Sequence, residues 1–425
     1  MVLITLVDGD DRHTIDFDPE DGGELLQLQI FSLTDVPVDE QSVTGLGTGE
    51  LSATTNLSGV APGTWALLSR KRRPASEPPV PATQPTAAQP PDAAAVAMMD
   101  MERTILSGFD TAARQADPER QRAAREVIPW DQLCARAATA SGADAARPEA
   151  ELRLRELLRW FKHELFSWCD RPKCELTGEA TEPIGMGEPT ADERAGGAAR
   201  VELYRGPTGH VTRFPRYNDP AVLLRTRVGR CGEWANCFVL CARSVGFETR
   251  WVLDLTDHVW AEVWLGERWV HADPCEEALD TPLLYEQGWG KKLSYVFSFG
   301  THEAVDVSRR YSADWAETVK RREKVKEGWL ELTIASLCAA RQAELPASEA
   351  ARLAERALSE RAALDGAPEG AKSSRSEGLR GRQTGSVEWR RARGELGAET
   401  APGASRAAPG EDGPGGSASG ASENS

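Results

Sequence analysis

The chain has 425 residues, which is too long for one ordinary domain and suggests two or three. Hydrophobic residues make up 40% of it, so at least one sizeable core can be buried. The formal net charge of −16 argues against general binding to a phosphate backbone, because such binding needs a basic surface. From this charge we expect no nucleic-acid partner. No apolar run reaches 18 residues, and we therefore expect no membrane span.

The N-terminal sequence MVLITLVDGDDRH turns acidic at once and lacks the basic start, long apolar run and cleavage site of a signal peptide. We therefore expect a cytoplasmic protein, with a nuclear pool as a second location. The eight cysteines are too sparse for the disulfide framework of a small secreted protein. Most of them are better explained as buried thiols.

Residues 1–72 predict a small α+β unit. The segments LITLV and TIDFD predict two strands, GGELLQLQIFSLTD predicts a helix, and TWALLSR predicts a closing strand. This order, with a Pro-containing turn after the helix, resembles the ubiquitin-like β-grasp fold. An unspecified small α+β domain explains the same pattern equally well.

Residues 73–97 are rich in Pro and Ala without apolar periodicity, which predicts a disordered linker. Residues 98–199 predict a helical lobe, interrupted from residue 175 by a stretch rich in Gly, Glu and Thr. Its clearest helix is ELRLRELLRWFKHELFSW. Apolar residues recur there at steps of three and four and form one stripe: Leu154, Leu157, Leu158, Phe161 and Leu165.

The C-terminal third is simpler in composition. Residues 313–364 are charged and Ala-rich, and they predict C-terminal helices. Residues 365–425 consist mainly of Gly, Ala, Ser, Pro and Glu, which predicts a mostly disordered tail. The segment GRQTGSVEWRRARGELG within this tail is less degenerate and is compatible with a short docking helix.

Cys231 is predicted to lie where a loop becomes a helix. It stands between Gly229 and Gly232, and the residues after it have helical apolar spacing. A thiolate at a helix N-terminus is stabilised by the helix dipole and by free N–H groups, which can also bind an oxyanion. Cys237 and Cys241 lie inside the same helix and are better explained as small core residues.

The segments HVWAEVW and RWVHADP predict a hairpin with Gly266 and Glu267 as its turn pair, because Gly at the first central position suits a type II′ turn. The larger and polar side chains then share one face: His258, Trp260, Glu262, Trp264, Trp269, His271, Asp273 and Cys275. Small apolar residues occupy the other face: Val259, Ala261, Val263, Val270 and Ala272. A slip of one residue would reverse both faces.

Asp273 is predicted to be a diagonal neighbour of His258, at roughly 7–8 Å between Cα positions and within side-chain reach. Such a carboxylate can orient an imidazole, which in turn can activate the thiol of Cys231. Taken from the residues alone, catalysis and ordinary structural roles explain the three side chains equally well. His271 is a weaker candidate for the base because it lies nearer the turn.

Several blocks in order resemble the cytoplasmic peptide:N-glycanases of the transglutaminase-like superfamily: TRFPRYNDP, GRCGEWANCF, DHVWAEV, RWVHADPCE, PLLYEQGWGKKLSYV and VDVSRRY. They cover roughly residues 150–312, and GRQTGSVEWRRAR is most similar to plant-type members. The resemblance implies an α+β, papain-like catalytic core over residues 200–312, with the Cys-bearing helix packed on an antiparallel sheet.

The resemblance also implies an activity. The enzyme would hydrolyse the amide between N-acetylglucosamine and Asn, releasing the glycan and leaving Asp. Cys231 would be the nucleophile, His258 the general base and acid, and Asp273 the orienting carboxylate. The implied substrates are misfolded N-glycoproteins with high-mannose glycans in endoplasmic-reticulum-associated degradation. Trp251 and Trp260 are candidates for stacking on sugar rings, with core packing as the favoured alternative.

Two alternatives remain open at this point. The same thiol chemistry serves a transglutaminase or a cysteine protease of the superfamily, because all of them form an acyl-enzyme. A catalytically decayed adaptor is the other alternative, with the N-terminal unit docking on the proteasome or on ubiquitin-shuttle proteins.

The family's zinc site, two CxxC pairs, is mostly missing from this sequence. The first pair is reduced to CELT, which keeps Cys174 but has Thr177 in place of the second thiol. The expected second pair reads GPTG, with Gly206 and Gly209 in the neighbourhood. Other residues are conceivable substitutes, although their spacing fits no known zinc pattern: Cys169, His163 and His210. We therefore predict no metal ligands and no cofactor.

Overall fold

The computed structural model describes residues 2–70, apart from short gaps between residues 9 and 62, and residues 93–143, 147–366 and 379–397. The chain divides into two compact units, residues 1–89 and 90–425, and each has its own arrangement. Among the described residues, none of the helices combines the length and apolar character needed to cross a membrane.

The first unit is a four-stranded sheet with one helix. In chain order its elements are β1 (Val2–Asp8), β2 (Asp11–Phe17), α1 (Gly22–Thr34), β3 (Gln41–Thr44) and β4 (Trp65–Arg70). The strand order is β2-β1-β4-β3, and the central pair β1–β4 is parallel. Strands β1, β2 and β4 and the helix lie where the sequence predicts them. The short strand β3 was not predicted, because QSVT is brief and mostly polar.

The second unit begins with helices. They are α2 (Ala93–Ala116), α3 (Pro118–Val127), α4 (Trp130–Ala143) and α5 (Glu149–Trp160), followed by a π-turn at Phe161–Leu165. All five residues of the predicted apolar stripe are buried. Helix α2 includes residues 93–97, which had been predicted as linker; this prediction was wrong because the Ala-rich start favours helix. The rest of the predicted linker, residues 73–92, lies outside the described residues.

A small lobe and the central sheet follow. The lobe contains β5 (Ser167–Trp168), β6 (Glu182–Gly187), α6 (Ala191–Ala195), β7 (Val201–Arg205), β8 (Val211–Pro215), α7 (Pro220–Thr226) and β9 (Val228–Gly229). Helix α8 (Cys231–Ser244) precedes the central sheet, whose strands are β10 (Thr249–Asp254), β11 (His258–Leu265), β12 (Arg268–Asp273), β13 (Ala278–Leu279), β14 (Val296–Phe299) and β15 (Ala304–Asp306). The sheet is antiparallel throughout, in the order β13-β12-β11-β10-β14-β15.

The hairpin β11–β12 has the predicted register. Leu265 pairs with Arg268 across the turn, and Gly266 has φ +72°, a conformation that Gly adopts without strain. The small apolar face packs against α8 in the largest core cluster, which contains Ala261, Val263, Val270 and Ala272. The α+β class and the helix-on-sheet arrangement predicted from the sequence are therefore confirmed.

Helices close the second unit: α9 (Ser308–Tyr311), α10 (Trp315–Val319), α11 (Glu327–Gln342), α12 (Ala347–Asp365) and α13 (Val387–Ala392). Helix α13 belongs to residues 379–397, which we call the C-terminal strap. The prediction of a disordered tail is wrong for this segment, because it is held by polar contacts that apolar periodicity does not reveal. The remainder of the predicted tail, residues 367–378 and 398–425, lies outside the described residues.

Candidate active site

Cys231 is the first residue of α8, and the turn before it is tightly fixed. The backbone N–H of Arg230 donates to Glu233 at 2.9 Å, and its guanidinium donates to Glu202 at 2.8 Å. The first helical hydrogen bond, from the N–H of Trp234 to the carbonyl of Arg230, measures 2.9 Å. The thiol therefore stands at the positive end of the helix dipole, and its residue is 9% exposed.

His258 and Asp273 meet at one end of the central sheet. His258 begins β11 and Asp273 ends β12, so the antiparallel pairing brings them together. The Nε2 of His258 lies 2.8 Å from Oδ2 of Asp273, and both side chains are fully buried. The other ring nitrogen, Nδ1, has no well-aligned hydrogen-bond partner and is left for the Cys231 thiol. Catalytic contacts of this kind often tighten only when substrate binds.

Electrostatics in this site favour an ion pair between sulfur and imidazole. Burial is the largest influence on Cys231 and raises its pKa, but hydrogen bonding and charge from His258, and the charge of Arg382, lower the pKa below its usual value. Burial lowers the pKa of His258, yet the carboxylate of Asp273 outweighs it and raises the pKa overall. Despite burial, the charge of His258 holds the pKa of Asp273 well below its usual range. These shifts favour a thiolate beside an imidazolium.

The carboxylate of Asp273 is also held by its own strand end and by a tyrosine. Its Oδ1 accepts the N–H groups of Cys275 at 2.8 Å and Glu276 at 3.3 Å. Its Oδ2 accepts the hydroxyl of Tyr285 at 3.0 Å. These contacts keep the carboxylate oriented toward His258.

His271 belongs to this network and does not contact the thiol. Its Nε2 lies 2.7 Å from the hydroxyl of Tyr285, and its Nδ1 accepts the N–H of Thr281 at 3.4 Å. Burial lowers the pKa of His271 to about 4, so the ring is neutral near pH 7. The proton consequently sits on Nε2 and is donated to Tyr285. This arrangement supports His258 rather than His271 as the base.

Comparison with known proteins identifies two matching domain families. Residues 186–274 match the transglutaminase-like superfamily, and residues 255–357 match the Rad4 transglutaminase-like domain. The chain contains a transglutaminase-like core. The matched region, residues 186–357, extends beyond the predicted bounds of 200–312 on both sides.

Several curated relatives bear the description peptide-N(4)-(N-acetyl-beta-glucosaminyl)asparagine amidase. The chain is 36% identical to that of Arabidopsis thaliana, over 92% of this chain and 57% of the relative. It is 46% identical to that of Caenorhabditis briggsae, over 57% of this chain and 42% of the relative. It is 48% identical to that of Homo sapiens, over 57% of this chain and 37% of the relative. The chain thus spans about half the length of the curated relatives it matches.

Aromatic side chains enclose the imidazole of the transglutaminase-like core. The His258 ring lies 4.8 Å from Trp289, 5.1 Å from Tyr285 and 5.6 Å from Trp260, measured between ring centroids. Trp260 is fully buried and stacks on Tyr285 at 4.3 Å, which makes it a core residue. Trp251 packs against Phe299 at 5.9 Å. The enclosure keeps water from the ring and strengthens its pairing with Asp273.

A cleft of 1120 Å³ lies between the small lobe and the C-terminal strap. Its walls include Trp168, Phe214 and Trp389, the last contributed by the C-terminal strap. Val228 also lines the cleft, and its strand β9 ends two residues before Cys231. The cleft therefore gives access toward the start of α8 from a surface rich in aromatic and charged groups.

The residues present do not fit the family's four-thiolate zinc. A Cβ on Gly206 would lie 2.7 Å from Sγ of Cys174. Two thiolates on one tetrahedral zinc stand about 3.8 Å apart at Zn–S bonds near 2.3 Å. The backbone at Gly206 therefore lies too close to Cys174 for a second thiolate at this position, and the sulfur of Cys174 accepts a hydrogen bond from Thr177.

The conceivable substitute ligands are not brought together. His163 pairs with Glu277 at 2.6 Å, and His210 lies 3.7 Å from Glu175. Cys169 packs in a small core, and burial raises the pKa of its thiol to about 11. Within the described ranges, no group of three or more His, Cys, Asp or Glu side chains could hold a metal ion.

Sequence reasoning missed two residues of the site. Tyr285 lies in the segment PLLYEQGWG, which the resemblance had marked, but its contacts with Asp273 and His271 depend on the π-turn at Leu284–Gly288. Arg382 lies in the strap, in the segment GRQTG. The available sequence signal was that Arg382 lies in the part of the low-complexity tail with the more varied composition.

Proposed function

We propose that this protein is a peptide:N-glycanase. It hydrolyses the amide between the innermost N-acetylglucosamine and the Asn side chain, releases the glycan and leaves Asp. The observation that carries the proposal is the arrangement of Cys231 at the tip of α8 beside His258, whose ring is held 2.8 Å from Asp273. The activity named for the curated relatives supports the choice of bond.

The reaction follows from these positions. The thiolate of Cys231 attacks the carbonyl carbon of the Asn amide, a C–S bond forms, and the electron pair moves to oxygen. N–H groups in the first turn of α8 stabilise that oxyanion. His258 gives its proton to the leaving nitrogen, and the C–N bond breaks to leave a thioester.

The second half-reaction regenerates the enzyme. Neutral His258 takes a proton from water, and the hydroxide attacks the thioester carbon. The C–S bond then breaks, the thiolate leaves, and the side chain departs as Asp. Asp273 keeps the imidazole in one orientation through both halves and stabilises its charged form.

Burial of the nucleophile favours unfolded substrates. Cys231 is 9% exposed and His258 is fully buried, so an Asn on a rigid protein surface has poor access to them. We therefore propose misfolded N-glycoproteins with high-mannose glycans as substrates, in endoplasmic-reticulum-associated degradation in the cytoplasm, with a nuclear pool. The aromatic walls at Trp168 and Trp389 offer faces for sugar rings in the cleft.

A denatured glycopeptide tests the activity. The wild-type protein is expected to release the glycan and convert Asn to Asp, observed by mass spectrometry. Cys231→Ala is expected to abolish release, whereas Cys338→Ala, which removes a half-buried thiol in α11, keeps it. Full activity in the Cys231→Ala variant would refute the assignment. Incorporation of a labelled amine into a glycan-free protein, or cleavage of its backbone, would instead indicate a transglutaminase or a protease.

For the N-terminal unit we propose a ubiquitin-like role in docking on the proteasome or on ubiquitin-shuttle proteins. The mixed sheet with a central parallel pair supports the β-grasp assignment. An exposed apolar patch on the sheet supports docking, since three of its side chains are about half exposed: Leu3, Trp65 and Leu67. Co-sedimentation with purified proteasomes tests this, and Trp65→Ala with Leu67→Ala should abolish it without changing deglycosylation.

A further inference from the structure

Arg382 of the C-terminal strap is a fully buried cation enclosed by aromatic rings. Its guanidinium carbon lies 4.9 Å from the ring centroid of Trp168, 4.8 Å from Trp289 and 4.6 Å from Trp389. Its Nη1 donates to Glu395 at 2.9 Å. Indole faces attract a cation, and more strongly when water is absent, so this position is favourable for a charge.

The remaining donors of this guanidinium have no hydrogen-bond partner in the described part of the chain. Both Nε and Nη2 of Arg382 are buried and unsatisfied. Donors on a buried charge are costly to leave unpaired, so a site that keeps them open calls for a functional explanation.

Arg382 lies beside the active site and contacts the same indole ring as His258. Trp289 touches both groups, since its ring lies 4.8 Å from the His258 ring and 4.8 Å from the guanidinium of Arg382. The strongest attraction that favours the charged form of Arg382 comes from the Cys231 thiolate, ahead of Glu395.

The strap is fastened to the residues beside the reacting groups. The hydroxyl of Thr384 donates to the carbonyl of Cys275 at 2.5 Å, two residues after Asp273. Arg393 donates to the side chain and the carbonyl of Asp257 at 2.6 and 2.7 Å, immediately before His258. These contacts fix Arg382 relative to the sheet end that carries the imidazole and the carboxylate.

We propose that the C-terminal strap completes the active site, and that Arg382 is a positioning residue whose fixed positive charge stabilises the Cys231 thiolate. The proposal rests on the amidase function proposed above. His258 loses its charge when it protonates the leaving nitrogen, whereas an Arg stays charged throughout. Arg382 therefore supplies a positive electrostatic potential at Cys231 that persists through both half-reactions.

The groups that face the thiol determine how the test is interpreted. They are His258, Asp257, Cys275 and Arg382, since each of them acts on Cys231 or is acted on by it. Of these groups, Asp257 opposes the thiolate with its negative charge, which Arg393 and Lys291 offset. Among these groups, Arg382 is the one permanent cation.

Alkylation of Cys231 by iodoacetamide, followed against pH by mass spectrometry, tests the proposal without any glycopeptide. Arg382→Met and Arg382→Gln are expected to move the midpoint of the alkylation profile upward by about one pH unit, a tenfold loss of thiolate below it. The value of kcat/KM on the glycopeptide should fall in parallel, with KM unchanged. Arg391→Gln, which removes an exposed cation from α13 of the same strap, is the matched control and should match wild type.

Arg382→Lys keeps a charge but holds it on a narrower head group. The midpoint of its alkylation profile should therefore move upward by less than in the neutral variants. If the Met and Gln variants fail to fold, the Lys variant tests the proposal. The proposal is overturned if every folded variant keeps the wild-type midpoint. It is also overturned if the variants are alkylated faster than wild type, which is the result expected of a strap that only covers the site. A shifted midpoint in a protein that leaves glycopeptides intact would reject the amidase assignment and keep the role of Arg382.

Discussion

The hydroxyl of Tyr285 donates to Oδ2 of Asp273 at 3.0 Å, and this is the same oxygen that faces His258. Tyr285 also receives the proton of the neutral His271. The Asp273 carboxylate is thus the end point of a buried chain of hydrogen bonds. A fully satisfied chain of this kind holds its members in one arrangement.

Tyr285→Phe removes the middle of this chain. It leaves Nε2 of His271 buried without a partner, which should lower the free energy of unfolding by about 1–3 kcal/mol. Because Asp273 then has more freedom, deglycosylation should fall several-fold, measured as kcat on a glycopeptide. Tyr311→Phe is the matched control, since its buried hydroxyl donates to Glu262 at 2.8 Å and not to the catalytic carboxylate. Equal loss of kcat in both variants would contradict the prediction.

Asp273→Asn removes the charge that raises the pKa of His258. Burial then dominates, the pKa of His258 falls, and the imidazolium that stabilises the Cys231 thiolate is lost near neutral pH. We expect kcat to fall roughly 10³–10⁴-fold, as when a triad carboxylate is neutralised. Alkylation of Cys231 should slow at the same pH. Asp131→Asn, on an exposed position of α4, controls for net charge and should leave both rates unchanged.

Acid should release α12 from the catalytic unit. Glu360 of α12 accepts hydrogen bonds from Arg250 at 2.7 Å and Arg310 at 2.6 Å. Burial alone raises the pKa of Glu360, but these guanidinium groups lower it from 4.5 to about 2. A depressed folded pKa contributes stability above the unfolded value and loses it as pH falls through the folded value. The protection factors of the α12 amides, which compare their exchange with that of an unfolded chain at the same pH, should therefore fall between pH 4.5 and about 2.

Glu360→Gln should reproduce this effect at neutral pH. Removing one member of a buried ionic cluster leaves Arg250 and Arg310 with fewer partners, and the free energy of unfolding should drop by about 3 kcal/mol. Glu355→Gln, on the exposed side of the same helix, is the control. A denaturant titration that gives both variants the same midpoint would refute the assignment of α12 docking to this cluster.

Removal of metal should leave the small lobe intact. Chelator treatment is expected not to change the melting temperature, because the backbone at Gly206 lies too close to Cys174 for a second thiolate at this position. Gly206→Ala should lower stability by about 1–3 kcal/mol, since its Cβ would meet the sulfur at 2.7 Å. Gly328→Ala in α11, where a Cβ meets nothing within 4 Å, should be tolerated. Stoichiometric zinc in the purified protein, with a chelator-sensitive melting temperature, would contradict this prediction.

The features predicted best from the sequence were those governed by local periodicity. The turn at Gly266 fixed the register of the hairpin, and parity then placed His258 and Asp273 on one face. The apolar stripe from Leu154 to Leu165 marked one buried helical surface. The site residues could be predicted in position because two strands and one helix start determine where they lie.

The features missed depend on partners far apart in the chain. The strap is fastened by hydrogen bonds from Thr384 to Cys275 and from Arg393 to Asp257, more than 100 residues away. Arg and Gly dominate this segment, and no apolar period reveals its docking. The contact between Tyr285 and His271 was equally hidden, because the irregular π-turn that aims the tyrosine has no clear sequence signature.

The location of the strap has a practical consequence for anyone shortening this gene. The similarity to known domains ends at residue 357, and the last long helix ends at Asp365. An expression boundary drawn at either point would retain Cys231, His258 and Asp273 together with their sheet. It would discard Arg382, which contacts the same tryptophan ring as the imidazole. A protein that ends at residue 357 would also lose Glu360 and its ion pairs with Arg250 and Arg310. A protein that ends at Asp365 would keep them, and weak activity caused by loss of the strap would be mistaken for a property of the full chain.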